Sequence, residues 1–170
     1  MAFLERADLS EANLSGANIN RAKLTAADLT GTNLANVDAR KAVLIRAELT
    51  GADLSNADLS EAILENASFR SADLSGASLL IARMKQADFS GATLVSANIR
   101  QAIGPSVFFT GADLTGADLG WAVLSGADFR EANLAGANLS GADLSGTDFT
   151  HAIWTDSSLC YSASCDDRAY

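Results

Sequence analysis

Residues able to do chemistry are few in this chain, and most gather at one end. His151 is the single histidine, and Cys160 and Cys165 are the only cysteines. A zinc site would need them at a standard ligand spacing, which they lack. A Cys–His nucleophile pair would need a third group to orient it, and none is present. Nothing marks an oxidising compartment, so free thiols are expected, with a Cys160–Cys165 disulfide closing the tail as the alternative. Carboxylates are abundant, 21 in all. Several recur twenty residues apart: Asp8, Asp28 and Glu48; Asp38 and Asp58; Asp53 and Asp73. Stacked at strand spacing they could attract loose cations, but no closed ligand shell follows. Phosphate loops, dinucleotide fingerprints, nucleophile elbows and calcium-binding β-roll motifs are absent. The sequence predicts no catalytic residue, no metal and no cofactor.

What positions these residues follows from composition and period. The chain has 170 residues, one domain's worth. Apolar residues make up 48% but aromatics only 6%. The apolar share is too high for a disordered chain, and the aromatic share is low for a conventional core. No apolar run approaches the ~18 residues that span a bilayer. The N-terminus lacks the basic and apolar regions of a signal peptide. A cytoplasmic protein with no membrane contact is expected. The net charge of −9 argues against direct nucleic-acid binding.

The chain falls into register when written in fives. Large apolar residues recur every fifth position from Leu4 to Leu159, giving 32 centres with no insertion or deletion. Leu fills 21 of them, and only Ala39 and Gly104 depart from a large side chain. Two residues before the centre stands Ala in 27 of 32 cases. A period of five fits neither a helix nor a flat strand, so the chain must turn once per repeat. Eleven of the 13 glycines sit two residues after the centre, where the turn needs positive φ. Phe69, Phe89, Phe109, Phe129 and Phe149 are each twenty residues apart. Four repeats per coil would stack them in one interior column. The spacing predicts an all-β solenoid of about eight four-sided coils, roughly 38 Å long. Val37 and Ala39 swap large and small and so conserve volume. Gly104, followed by Pro105, predicts a cavity or a bend, with Ile103 turning inward to fill it.

This pattern, A(D/N)LXX over residues 1–159, resembles the pentapeptide-repeat family. The resemblance implies a right-handed quadrilateral parallel β-helix; the handedness comes from the resemblance alone. Residues 160–170 remain as a C-terminal tail. Trp154, Leu159, Tyr161 and Tyr170 are candidates to cap the last coil. At the other end Phe3 and Leu4 open the repeats directly, which calls for a second copy or a further segment over that end.

The outward residues sort into four faces. Face 1 is the column centred on Leu4, Leu24, Leu44, Leu64, Met84, Gly104, Leu124 and Leu144. Elsewhere Asp or Asn usually precedes the centre; on face 1 Val43, Ile63, Ile103 and Val123 do so at four coils. Ile45 and Trp121 lie beside them. Arg21, Lys23, Lys41, Arg46, Arg83 and Lys85, with Arg6, make seven of the twelve bases. These residues form the candidate protein-binding surface, because apolar anchors ringed by charge mark contact patches. The bland alternative is that β-branched residues simply suit strands. The other faces carry 14 acids up to residue 155 against Arg40, Arg70, Arg100 and Arg130.

Two functions fit. One is a non-enzymatic scaffold that binds another protein through face 1, or a second copy through face 1 or the open end. The other comes from the resemblance: some pentapeptide-repeat proteins mimic DNA and bind gyrase, inhibiting it or protecting it from quinolones. Charge density argues against close mimicry. The acidic faces carry one acid per ~2.7 Å of rod, against one charge per ~1.7 Å for duplex DNA.

Overall fold

Each repeat is a sharp corner followed by a short extended step. The computed structural model describes residues 2–156 and Cys160. The second residue after every centre, from Arg6 to His151, has φ between 54° and 71°. Eleven of these residues are glycine and nineteen are not. Around each corner the N–H three residues after the centre donates to the centre's carbonyl, as Ala7 does to Leu4 at 3.1 Å. Positive φ at the third turn residue alone, with this bond, defines a type II turn.

Stacking then uses nearly every remaining backbone donor. Leu24 donates to the Val43 carbonyl in the next coil, at 2.8 Å. Lys23 donates back to Ala2 at 2.9 Å, and Arg6 donates forward to Thr25 at 3.0 Å. The residue before each centre forms a single parallel bridge to its equivalent one coil away. One ladder runs Phe3, Lys23, Val43, Ile63, Arg83, Ile103, Val123, Asp143; three others run beside it. Four ladders with a twenty-residue step make a four-sided solenoid. Each side contributes single-residue bridges rather than runs of strand.

One donor per repeat has no backbone partner: the N–H just after the centre. The Asp or Asn before the centre accepts it. Asp8 takes the Ser10 N–H at 3.1 Å, Asn33 takes Ala35 at 3.1 Å, and Asp113 takes Thr115 at 3.0 Å. This local bond is an Asx-type turn and explains the D/N of the repeat. On face 1 only Asp143 makes it, to Ser145 at 3.0 Å.

The interior is filled by the Ala and the centre of each repeat. From Ala22 to Leu134 these positions are essentially inaccessible to water, Val37 and Ala39 included. Thr32 is buried in place of Ala, and its hydroxyl donates to the Leu9 carbonyl at 2.8 Å. The five phenylalanines stack as the spacing predicts, at centroid distances of 4.7, 5.2, 5.0 and 5.1 Å. Trp154 closes the column edge-on to Phe149 at 4.9 Å.

The Gly104 coil departs from expectation. Ile103 does not turn inward; it stays half-exposed on face 1 and keeps its ladder bonds to both neighbouring coils. Met84, one coil earlier, fills the space. A Cβ on Gly104 would stand 2.9 Å from Met84 Cγ and 3.0 Å from Cε. The flexible thioether reaches where a branched side chain in the next strand could not. The ladder runs through unbent, with Gly104 donating to Val123 at 2.8 Å. Pro105 occupies the second residue of its type II turn, which suits its fixed φ. It also stands on a face where the N–H it lacks would have no Asx acceptor.

The two ends differ. Leu4, Leu9, Leu14 and Ile19, the centres of the first coil, are only partly buried. At the other end Cys160 lies over the corner between Phe149 and Ala152. Its N–H donates to Ala152 and its carbonyl accepts from His151, both at 2.8 Å. These are the bonds a further coil would make. Of the proposed capping residues, Trp154 is buried; Leu159, Tyr161 and Tyr170 lie outside the described residues.

Three substitutions test the interior. Phe109→Ala or Phe129→Ala should cost ~3–5 kcal/mol, since each removes a ring stacked on both sides. Met84→Ala should cost at the upper end of ~2–5 kcal/mol, because it empties two adjacent central positions. Thermal or denaturant melts read all three, and an unchanged midpoint would contradict the packing.

Candidate protein-contact face

Most acidic side chains are committed to the fold before any partner is considered. Besides capping its turn, Asp38 pairs with Arg40 at 2.7 Å, and Arg40 reaches on to Asp58 at 3.7 Å. Arg130 bridges Asp128 at 2.6 Å and Asp148 at 4.0 Å. Arg70 holds Asp88 at 2.7 Å, and Arg100 holds Asp118 at 3.2 Å. All four arginines of the acidic faces thus neutralise stacked carboxylates. The Arg40 hydrogen bond holds the Asp38 carboxyl down to about 2. Serine and threonine hydroxyls and turn N–H groups lower Asp8, Asp143 and Asp148.

Face 1 is built differently, and its sequence-predicted residues do fall on one side of the rod. Val43, Ile63, Ile103 and Val123 share one ladder with Lys23 and Arg83. Ile45 and Lys85 follow their centres on the same face. Arg21, Lys41 and Trp121 occupy the corner that leads into it, and Arg46 the corner that leaves it. Lys41 pairs with Glu61 at 3.4 Å and Arg83 with Glu65 at 2.8 Å. Lys23 lies 5.1 Å over the exposed Phe3 ring.

The structure adds two features to this face. First, it is polarised. Coils 1 to 3 hold Arg6, Arg21, Lys23, Lys41 and Arg46, whereas coils 6 and 7 present Gln101, Ile103, Pro105, Trp121, Val123 and Ser125, without a charge. Second, two bulky apolar residues sit at positive φ. Ile81 has φ 59° and Trp121 φ 61°, and they are 44% and 62% exposed. The Trp121 ring lies over Gly141, where a Cβ would come within 2.7 Å of it. Outside face 1, exposed Phe108 and Ile153 interrupt the acidic ladders; nothing in their spacing distinguishes them.

Among the described residues no three His, Cys, Asp or Glu side chains gather as a metal site. His151 and Cys160 do meet, but through their backbones. Cys160 is disulfide-bonded, contrary to the free thiol expected, and is buried against the last coil; Cys165 lies outside the described residues. Its sulfur is therefore not a nucleophile or thiolate ligand. No helix among the described residues is long and apolar enough to cross a membrane.

The family model for pentapeptide repeats matches eight copies along this chain, over residues 1–25, 22–60, 47–79, 67–103, 82–120 and 112–150. The chain belongs to the pentapeptide-repeat family. Among solved structures, this pentapeptide-repeat protein is similar to HetL, a pentapeptide-repeat protein involved in heterocyst differentiation regulation in the cyanobacterium Nostoc. Identity is 38% over 93% of this chain and 76% of that one, with a TM-score of 0.36. A trypsin-treated form of QnrB1, a plasmid-mediated fluoroquinolone resistance protein, aligns over 86% of this chain and 82% of its own. Its TM-score is 0.59 and its identity 17%, a likeness of fold. A pentapeptide-repeat protein from the Arabidopsis thaliana thylakoid lumen is 30% identical over 66% of this chain and 65% of that one, with a TM-score of 0.37. Among curated proteins nothing matches.

Acid should weaken the rod through the carboxylates described above. Asp38 titrates at about 2 when folded and ~3.9 when unfolded. A carboxyl depressed in this way stabilises the fold above the unfolded value, and the stabilisation is lost as pH falls through the folded one. The melting temperature should hold from neutral pH to about 4 and drop towards pH 2. Asp38→Asn keeps the turn acceptor but not the ion pair. It should lower the neutral-pH melting temperature slightly and shrink the acid-induced drop; an unaltered acid limb would contradict the pairing.

Proposed function

We propose that this protein is a non-enzymatic scaffold that docks another protein on face 1 of a right-handed quadrilateral β-helix. The right-handed winding is what membership of the pentapeptide-repeat family implies. The observation that carries the docking reading is the pair Ile81 and Trp121. Left-handed backbone costs a non-glycine residue about 1–2 kcal/mol, and bulky or β-branched side chains are rare there. Trp121 is largely exposed and Ile81 nearly half so, which limits what folding gains from them. Strain together with exposed apolar area is what a contact surface keeps and an inert one does not. Trp and Arg, both present here, dominate binding hot spots.

The gyrase-binding DNA mimic stands second. Its acidic columns already serve turns and arginines, which accounts for their regularity without a nucleic-acid-binding partner.

Ile63→Asp with Val123→Asp tests the docking face. Asp or Asn before the centre is what most coils of the other three faces carry, so each change supplies the missing turn acceptor and the fold should hold. Binding to a host partner should be abolished in affinity capture, and self-association altered in sedimentation. Glu48→Lys with Glu131→Lys, on other faces, should preserve both. Ile81→Gly should leave the fold at least as stable while weakening contact. If the acidic-face changes abolish binding and the face 1 changes do not, the assignment is reversed and the DNA-mimic reading moves ahead.

A further inference from the structure

Face 1 is complementary to itself in one orientation. Number the coils 1 to 8, from the one centred on Leu4 to the one centred on Leu144. Lay a second copy against the face, antiparallel, about a two-fold axis crossing the rod between coils 4 and 5. Coil 2 then faces coil 7, and the exposed Arg21 meets the exposed Trp121 ring, a cation–π partner. Coil 3 faces coil 6, so Val43 meets Ile103 and Ile45 meets Pro105. Coil 4 faces coil 5, and Glu65 meets Lys85 of the second copy. Nowhere does a charge face its like.

Three alternatives fail on charge. Moving the axis onto coil 4 sets Glu61 on Glu61 and Glu65 on Glu65. Moving it onto coil 5 sets Arg83 on Arg83 and Lys85 on Lys85. A parallel arrangement sets Lys41 on Arg46 and Arg83 on Lys85. Like charges placed directly opposite disfavour a pairing. An axis between coils 5 and 6 sets no like charges together but leaves coils 1 and 2 uncovered, whereas the axis between coils 4 and 5 is the one in which all eight coils overlap, along the whole ~38 Å of the rod.

We propose that the occupant of face 1 is a second copy of this chain, packed antiparallel in that register as a closed two-fold dimer. The proposal rests on face 1 being a contact surface and names its partner. It assigns a use to each half of the polarised face: the basic coils of one copy cover the uncharged coils of the other. It also gives Trp121 a desolvated cationic partner. An isologous interface of this kind uses up the face on both copies and does not grow into a filament.

Crosslinking tests the register. A chain carrying both Thr25→Cys and Ser125→Cys has its new thiols five coils apart, ~24 Å along the rod. The dimer brings each against the other on the second copy. A bismaleimide spanning about 10 Å, the spacing of packed sheets, should convert the double variant to covalent dimer. Neither single variant nor the unsubstituted chain should react so. In sedimentation, Arg21→Ala and Trp121→Ala should each weaken the dimer severalfold, and together no more than the stronger alone. Such coupling cannot arise within one rod, where the two are five coils apart. Equal crosslinking of single and double variants would overturn the register. A monomer at tens of micromolar, with face 1 substitutions still abolishing binding of a host protein, would overturn the self-pairing and leave the docking face standing. A dimer untouched by Ile63→Lys with Val123→Lys, which set new cations against Arg83 and Lys23 of the second copy, would overturn both.

Discussion

In each five-residue repeat, four backbone N–H groups find backbone acceptors and the fifth has none. One closes the type II turn, one reaches the previous coil, and two reach the next. The corner N–H left over must be met by a side chain or by water, since unpaired polar groups in a packed rod are costly. Asp or Asn two residues earlier is the shortest side chain that reaches it. From this one requirement follow the repeat pattern, the acidic surface and the exceptional status of the face that lacks it.

The acidic surface is a by-product that needs its own remedy. Turn-capping aspartates in register stack like charges at strand spacing, which opposes the coil stacking. Arg40, Arg70, Arg100 and Arg130 stand just after a centre, where one guanidinium reaches an aspartate on its own coil or the next. Two of them touch both. These pairs are exposed and individually weak, but they repeat along the rod. Residual negative charge on three sides also discourages lateral association there.

Face 1 gives up the turn cap at every coil but the last. Val43, Ile63, Ile103 and Val123 cannot accept the corner N–H, and Ile81 and Trp121 add left-handed strain at the neighbouring corner. The rod tolerates this because its interior is continuous: alanines, leucines and the phenylalanine stack bind each coil to its neighbours irrespective of what the surface does. Stability held inside frees the surface. A local sacrifice concentrated on one face, while the other three keep the rule at most coils, is the arrangement expected where function competes with folding.

The sequence by itself determined the register, the side count and the inside–outside sorting. A strict five-residue period leaves each position one environment, so Phe69 to Phe149 had to stack and the eleven corner glycines had to fall at positive φ. The basic and apolar residues of face 1 could be grouped for the same reason. Tertiary structure alone decided what depends on side-chain reach between coils. Met84 fills the space at Gly104, Arg40 and Arg130 bridge stacked aspartates, Trp121 lies across Gly141, and Cys160 takes the place of a further coil. Periodicity fixes where a Cβ starts, but rotamers and the gaps left by neighbours twenty residues away fix where a long side chain ends. The cost of Ile81 and Trp121 was hidden in the same way. Their spacing marks them as ordinary corner residues, and only the observed φ with the observed exposure shows that the fold gains little from either.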